Sequence, residues 1–193
     1  MEKFSKIQKL DSISSIASID TVFNGEHIKI VKTDGWEVVT GSDTVIVLPY
    51  FVEQGQIMLR LEWVPTYNYH AKSKDGEWLT VISGSVEIGE SPEEAALREL
   101  EEEGGIRLRS NNNNLQKWKE VYVSKCAAFK YHIFYLPLME LDYDSYTAQG
   151  DGSEAETRSR SIKISAGTLN KIQPADTITA LCIELLKKEL HVR

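Results

Sequence analysis

Short apolar runs dominate the first third of the chain, from His27 to Val31, Trp36 to Val39 and Thr44 to Val52. Asn24-Gly25, Asp34-Gly35 and Gly41-Ser42-Asp43 separate them. Gly, Asn and Asp accept turn backbone, whereas β-branched and aromatic side chains suit a pleated surface, so this pattern predicts antiparallel strands with tight connections. A further run from Gln56 to Val64, just after Gly55, extends the sheet. Residues 66–77 read as a polar loop, and the serine-rich stretch before Thr21 carries no decisive pattern.

After a strand from Trp78 to Ile82 the apolar spacing becomes helical between Ser91 and Glu103. Ser91 can accept from the helix start, Pro92 suits the first helical position, and Glu94 completes a capping box. Gly104 and Gly105 stop the helix. Strands follow from Trp118 to Ala127 and from Tyr131 to Leu138, with the tetrad Asn111 to Asn114 at a loop tip. An acidic loop over 141–160 leads to a strand from Ser161 to Ile164. The last helix runs from Pro174 to Leu190, with Ile178, Leu181, Cys182 and Leu185 on one face. Strands, helix, strands, helix predict an α/β chain with a mixed sheet and helices packed on it.

A length of 193 residues favours one well-cored domain, and 41% hydrophobic with 26% charged residues places the chain among sequences that fold. The formal charge of -7 disfavours broad attraction to nucleic acid or to anionic membrane, so neither partner is expected. Cys126 and Cys182 have no second pair and no closely spaced histidines, against a disulfide framework or a zinc knuckle. No signal-peptide block and no long apolar run are evident, and a cytoplasmic location is the expectation.

Between Glu87 and Glu103 lie eight carboxylates and one basic residue, Arg98. At helical spacing Glu99, Glu102 and Glu103 share one arc beside the apolar stripe of Ala96, Leu97 and Leu100, at the margin of the core and partly exposed. Glu94, Arg98 and Glu101 point elsewhere. Two like charges about 5 Å apart repel by roughly 3 kcal/mol at an effective dielectric of 20, so a positive group is expected among them. Hard oxygen donors suit Mg2+ or Mn2+, ions that commonly share substrate phosphates.

Read from Gly84, the segment GSVEIGESPEEAALRELEEEGGI resembles the Nudix box at every specified position: Gly84, Glu90, Arg98, Glu99, Glu102, Glu103 and Gly105, with Leu100 and Ile106 apolar. The resemblance implies an α/β/α sandwich over residues 43–193, preceded by a β-rich extension over 1–42. It implies hydrolysis of a nucleoside diphosphate linked to another group. Glu99, Glu102, Glu103 and the Gly84 carbonyl would hold Mg2+ or Mn2+, which neutralises the diphosphate and acidifies the attacking water. Arg98 would orient the carboxylates, with Glu90 in a similar role. In relatives with a late E-x-E pair that pair serves as base and ligand, which assigns Glu154 as base and Glu156 as auxiliary ligand.

The plan is similar to that of ADP-ribose and nucleoside diphosphate sugar pyrophosphatases. It departs from them at Glu62-Trp63-Val64, at Ser124-Lys125-Cys126 and at Thr80. Tyr122 stands where some dinucleoside-polyphosphate hydrolases carry a tyrosine. Trp36, Trp63, Tyr67, Tyr69 and Trp78 are candidates to stack a base or ribose, whereas His70 and His132 read as surface or strand residues. Nucleoside triphosphates or dinucleoside polyphosphates are the alternative substrates, and a non-catalytic nucleotide-binding module is the rival class. Resemblance also implies a homodimer. No G-x-S-x-G, H-E-x-x-H or complete P-loop is present.

Overall fold

The computed structural model describes residues 20–25, 28–33, 35–63, 77–109, 114–148, 157–174 and 176–192. Strands β1 (Asp20–Asn24), β2 (Lys29–Thr33) and β3 (Trp36–Thr40) form a separate antiparallel sheet in that order. All five residues of β1 are exposed, so no burial pattern marks it, and the sequence predicts no strand there. Pairing alone defines it, from Asp20 opposite Lys32 to Asn24 opposite Lys29. One parallel bridge ties this sheet to the rest: Val39 N donates to the Cys126 carbonyl at 2.8 Å, and Ala128 N to the Val39 carbonyl at 2.9 Å.

The main sheet contains β4 (Thr44–Phe51), β5 (Gln56–Trp63), β6 (Glu77–Thr80), β7 (Ile82–Ser85), β9 (Gln116–Tyr122), β10 (Lys130–Leu138) and β12 (Arg160–Ser165). Its order is β12-β5-β4-β10-β9, and among the described residues only β4 with β10 is a parallel pair in it. The sheet is therefore mixed, as the sequence predicts. β4 and β5 pair at Tyr50↔Ile57 and Phe51↔Gln56 and then separate. The segment 77–85 crosses that gap: β6 pairs with Arg60 to Trp63 of β5, and β7 with Thr44 to Val47 of β4. The strand expected to stop at Ile82 thus breaks pairing at Val81 and continues to Ser85. That crossing carries Gly84 to the edge where the first helix begins.

Alternation along the strands divides the interior in two. Val45, Val47 and Phe51 of β4, Met58 of β5 and Phe134 and Leu136 of β10 pack with Ala95, Ala96 and Leu100 of helix α1 (Pro92–Glu102). Ile46, Leu48, Leu59, Ile133 and Tyr135 pack on the other face with Cys182, Ile183 and Leu186 of helix α2 (Thr177–Glu189). This is the expected α/β/α sandwich. The buried centre of α2 is Thr179, Cys182, Ile183 and Leu186, turned from the expected face, with Ile178, Leu181 and Leu185 packed at its margin. Burial pushes the Cys182 thiol up to about 12, which makes it a small apolar filler.

The loop expected over 141–160 holds more structure than its composition shows. A 3-10 turn (Glu140–Asp142) leads into β11 (Tyr143–Ser145), which pairs with β8 (Ile106–Leu108) directly after α1. Each strand has three residues, too few for a readable period, and their pairing sets residues 146–148 against Gly105. A second 3-10 turn (Ala166–Lys171) precedes α2. No helix among the described residues is long and apolar enough to cross a membrane.

On the outer strand β9, Glu120 lies between Lys117 at 2.9 Å and Lys130 at 3.2 Å. Those hydrogen bonds hold its carboxyl down to about 2, against an ordinary value of 4.5. A depressed folded-state pKa gives stability that is present above about pH 4.5 and lost as pH falls toward 2. Glu120→Gln should therefore flatten acid unfolding across that window. The side chain is 39% exposed, so the difference from wild type should shrink when acid titrations are repeated in 1 M salt.

Candidate functional site

Helix α1 is held at both ends by its own sequence. Ser91 Oγ accepts from Glu94 N at 3.2 Å, and Glu94 Oε2 accepts from Ser91 N at 2.8 Å, the capping box the sequence predicts. At the other end Gly105 has φ +63°, and a Cβ there would run into the Tyr146 carbonyl. The turn therefore needs glycine on two counts. Between these stops the box acids lie along one edge of α1, next to the end of β7.

Arg98 organises the first part of that edge. Its Nε and Nη2 grip both oxygens of Glu90 at 3.0 and 3.1 Å, and Nη1 reaches Glu99 Oε1 at 2.6 Å and Glu102 Oε2 at 3.0 Å. Nη2 also donates to the Ser85 carbonyl at 2.8 Å, which pins the helix to β7. Helix spacing alone points Arg98 away from the three acids, but its long side chain reaches Glu90, Glu99 and Glu102, in line with the orienting role that the resemblance implies. Hydrogen bonding from Arg98 lowers the Glu90 pKa, and the same contacts hold the guanidinium firmly protonated. The geometry is that of an orienting clamp, a fork matched to planar carboxylates.

Glu103 faces the other way. Its Oε2 accepts from Ser83 N at 3.3 Å, and its Oε1 lies 3.2 Å from Arg60 Nη2 on β5. Glu103 is 7% exposed and Arg60 4%, so this is a buried ion pair. Glu99 is also 7% exposed, while the Glu102 side chain is 46% exposed. The sequence places all three at a partly exposed margin. In the structure only Glu102 matches, because the crossing segment 77–85 and β5 cover the other two.

The positive charge these acids demand thus comes in part from Arg98 and Arg60. Among the described residues no three acidic, histidine or cysteine side chains converge as one metal-holding group. Glu99 and Glu102 turn to Arg98, and Glu103 turns to Arg60. The donors still fit a hard divalent cation: carboxylate oxygens of Glu99, Glu102 and Glu103 beside main-chain carbonyls at the end of β7. Gly84 is part of that fit, since a Cβ on it would overlap the Glu99 carboxylate.

Glu102 and Glu103 line a cavity of about 520 Å3 together with Arg60, Arg160 and Lys163. Lys163 lies opposite Met58, and Ser161 opposite Arg60, so β12 and β5 set their polar side chains into one space. The Lys163 ammonium sits 3.6 Å from the Phe51 ring centre, and burial lowers its pKa. Tyr146 closes one side, its hydroxyl donating to the Glu101 carbonyl at 2.9 Å. Sequence reasoning missed Arg60, Arg160, Lys163 and Tyr146. A signal existed for two of them, a cation interrupting the apolar runs Ile57 to Leu61 and Ile162 to Ile164.

Other candidates fall elsewhere. Trp78 lines a second cavity, of about 320 Å3, on the α2 side of the sheet, where its Nε1 donates to Asp176 Oδ2 at 3.0 Å. Trp63 carries the Arg158 guanidinium 4.0 Å from its ring centre, and Trp36 is exposed on the small sheet. Tyr122 is a strand residue with a buried hydroxyl, and Lys130 lies over its ring. His132 is buried on β10, its Nε2 2.9 Å from Asp43 Oδ2, and lines neither cavity. Tyr67, Tyr69, His70, Glu154 and Glu156 lie outside the described residues.

Comparison with known proteins bears on both fold and site. The NUDIX domain profile matches residues 42–162, more than half of the chain. An ADP-ribose pyrophosphatase of Haemophilus influenzae is 47% identical over 51 residues, 26% of this chain and 24% of that protein. The match thus spans about a quarter of that curated relative's length. A crystal structure of an ADP compounds hydrolase superposes with a TM-score of 0.64 at 20% identity, over 92% of this chain and 94% of its own. A structure reported for MutT of Aliivibrio salmonicida and Vibrio cholerae gives a TM-score of 0.54 at 18% identity, over 77% of this chain and 98% of its own. At these identities the two structures speak to the fold, which they share. With every specified box position present along one loop-helix-loop edge and a profile match across the domain, the chain belongs to the Nudix family.

Proposed function

We propose that this protein is a Mg2+- or Mn2+-dependent pyrophosphohydrolase. It would cleave ADP-ribose or a related nucleoside diphosphate sugar to a nucleoside monophosphate and a sugar phosphate. The observation that carries this reading is the cavity that Glu102 and Glu103 line together with Arg60, Arg160 and Lys163. The carboxylates suit a divalent cation, the cations beside them suit phosphate oxygens, and about 520 Å3 leaves room for a diphosphate and a sugar. The ADP-ribose pyrophosphatase named among the relatives supports the substrate class.

Glu99, Glu102, Glu103 and the Gly84 carbonyl would hold the ion, which supplies charge neutralisation of the diphosphate and activation of water. Arg98 keeps Glu90, Glu99 and Glu102 in register. Arg60, Arg160 and Lys163 would orient the phosphates. Glu154 takes the proton of the attacking water, and Glu156 adds a ligand. Glu154→Gln should then lower kcat by about a hundredfold or more with little change in KM; a loss under about threefold removes Glu154 as the main base.

Homodimerisation belongs to the same proposal, supported by the apolar side chains Val22, Phe23 and Trp36 exposed on the three-stranded sheet, with Ile28 exposed just before β2. Light scattering tests it. For the activity, the decisive experiment is product identification across ADP-ribose, nucleotide sugars, diadenosine polyphosphates and nucleoside triphosphates. AMP with ribose 5-phosphate from ADP-ribose supports the reading. Release of inorganic pyrophosphate from triphosphates moves the assignment to a triphosphatase, and nucleotide binding without turnover moves it to a binding module.

A further inference from the structure

Arg60 stands out because a residue only 4% exposed carries a full positive charge directly after the apolar run Ile57, Met58 and Leu59. Among the described residues, Glu103 is the acid within ion-pair distance of it. A buried cation is tolerated when it is paired and costly when it is not. Both oxygens of that partner are engaged, Oε1 by Arg60 and Oε2 by the Ser83 amide. Glu103 is also a proposed ligand of the divalent ion, so the ion and Arg60 draw on the same carboxylate.

We infer that Arg60 exchanges partners: as a divalent cation takes Glu103, the guanidinium turns to a phosphate oxygen of the substrate in the shared cavity. Metal and diphosphate then bind cooperatively through one side chain. This rests on the metal-dependent reading above and adds a specificity-determining residue to it. Each state leaves Arg60 paired with an anion. Metal alone takes away part of its partner and gives nothing back, whereas metal with a diphosphate supplies a new one. A planar fork suits both partners, since carboxylate and phosphate each accept two parallel N–H bonds. The cavity makes the exchange short, because Arg60 and Glu103 line the same space as Arg160 and Lys163. Lys163 is less suited to this part, since its ammonium rests over the Phe51 ring.

Titration calorimetry on folded protein, checked by circular dichroism, tests the exchange with Mn2+ and with α,β-methylene-ADP, which resists hydrolysis. Wild type should bind the nucleotide at least tenfold tighter with saturating Mn2+ than without it. Arg60→Met should bind Mn2+ alone at least threefold tighter, because the competitor for Glu103 is gone. It should lose at least tenfold in nucleotide affinity in Mn2+, and Arg60→Lys should recover only part of that loss, because an ammonium keeps the charge but lacks the fork. Glu103→Gln gives an independent arm: with the carboxylate neutral, metal-free nucleotide should bind at least threefold tighter than to wild type. Removing a neighbouring charge raises these affinities by simple Coulomb attraction, so the Mn2+ gain of Arg60→Met is read against Lys163→Met, which takes a cation from the same cavity without freeing Glu103, and must exceed it at least threefold. Absence of either shift overturns the exchange. If wild type binds Mn2+ and cleaves a nucleotide sugar while those shifts are missing, the exchange alone falls. If wild type neither binds Mn2+ nor cleaves any nucleotide, the metal-dependent reading falls with it.

Discussion

Glu103→Gln should lower turnover by about a thousandfold or more and, unlike an ordinary surface change, should also cost roughly 3 kcal/mol of folding stability. The first effect follows from the proposed role, since a carboxamide is a poor ligand for Mg2+. The second follows from burial. From sequence alone, the substitution reads as structurally mild because the helix edge is expected to be partly exposed. Glu103 is instead 7% exposed and paired at 3.2 Å with an Arg60 that is 4% exposed. Neutralising one partner leaves the other charge in a medium that solvates it poorly. The two effects can be separated by the double variant Arg60→Met/Glu103→Gln, which removes both charges and fills the volume with an apolar side chain beside Met58. Urea unfolding of the double variant should recover most of the lost stability, while kcat stays as low as in the single variant. Full recovery of kcat would remove Glu103 from the site, and an unchanged urea midpoint in Glu103→Gln would show that the buried pair contributes little.

How much of this could be read from the chain depends on where the information lies. Helix α1 was legible residue by residue, because Ser91, Pro92, Glu94 and Gly105 are local signals: Ser91 and Glu94 cap free backbone N–H groups, Pro92 removes one, and Gly105 takes the left-handed turn. The two-layer interior was legible too, since odd and even positions of β4 and β10 carry apolar side chains to opposite faces. The rest is long-range. β1 is held by pairing rather than burial, and β8 with β11 is a contact between segments that no period connects. The site divides in the same way. The box acids and Arg98 are set by helix spacing and could be named in advance. The cavity's cations come from β5 and β12, whose juxtaposition is fixed by register, Arg60 opposite Ser161 and Met58 opposite Lys163. Only the oddity of a cation in an apolar run pointed to them. Charge counting called for a positive group among the acids, and Arg98 and Arg60 supply it in part, so the repulsion argument alone does not establish a metal.

Gly84→Ala should separate the two effects that Glu103→Gln combines, with a loss of turnover of about a hundredfold and only a small loss of stability. The residue sits in β7 opposite Val45, where alternation would otherwise permit a side chain. A methyl group there would overlap the Glu99 carboxylate. Because that carboxylate is the far end of a flexible side chain, the clash can be relieved by rotating it away, and the core of Val45, Ile82 and Leu100 need not move. Relief comes at the expense of geometry. Glu99 would leave its 2.6 Å contact with Arg98 Nη1, and the clamp joining Glu90, Glu99 and Glu102 would lose a member. A displacement of about 1 Å in a positioning group is enough to cost two orders of magnitude in rate. Thermal unfolding should fall by only a few degrees, equivalent to about 1 kcal/mol in a domain of this size. Mn2+ titration should meanwhile show weakened binding, because the carbonyl of residue 84 remains but the adjacent carboxylate has moved. If Gly84→Ala keeps wild-type kcat and Mn2+ affinity, Glu99 has no part in holding the ion; if it unfolds, the carboxylate is not free to rotate as argued.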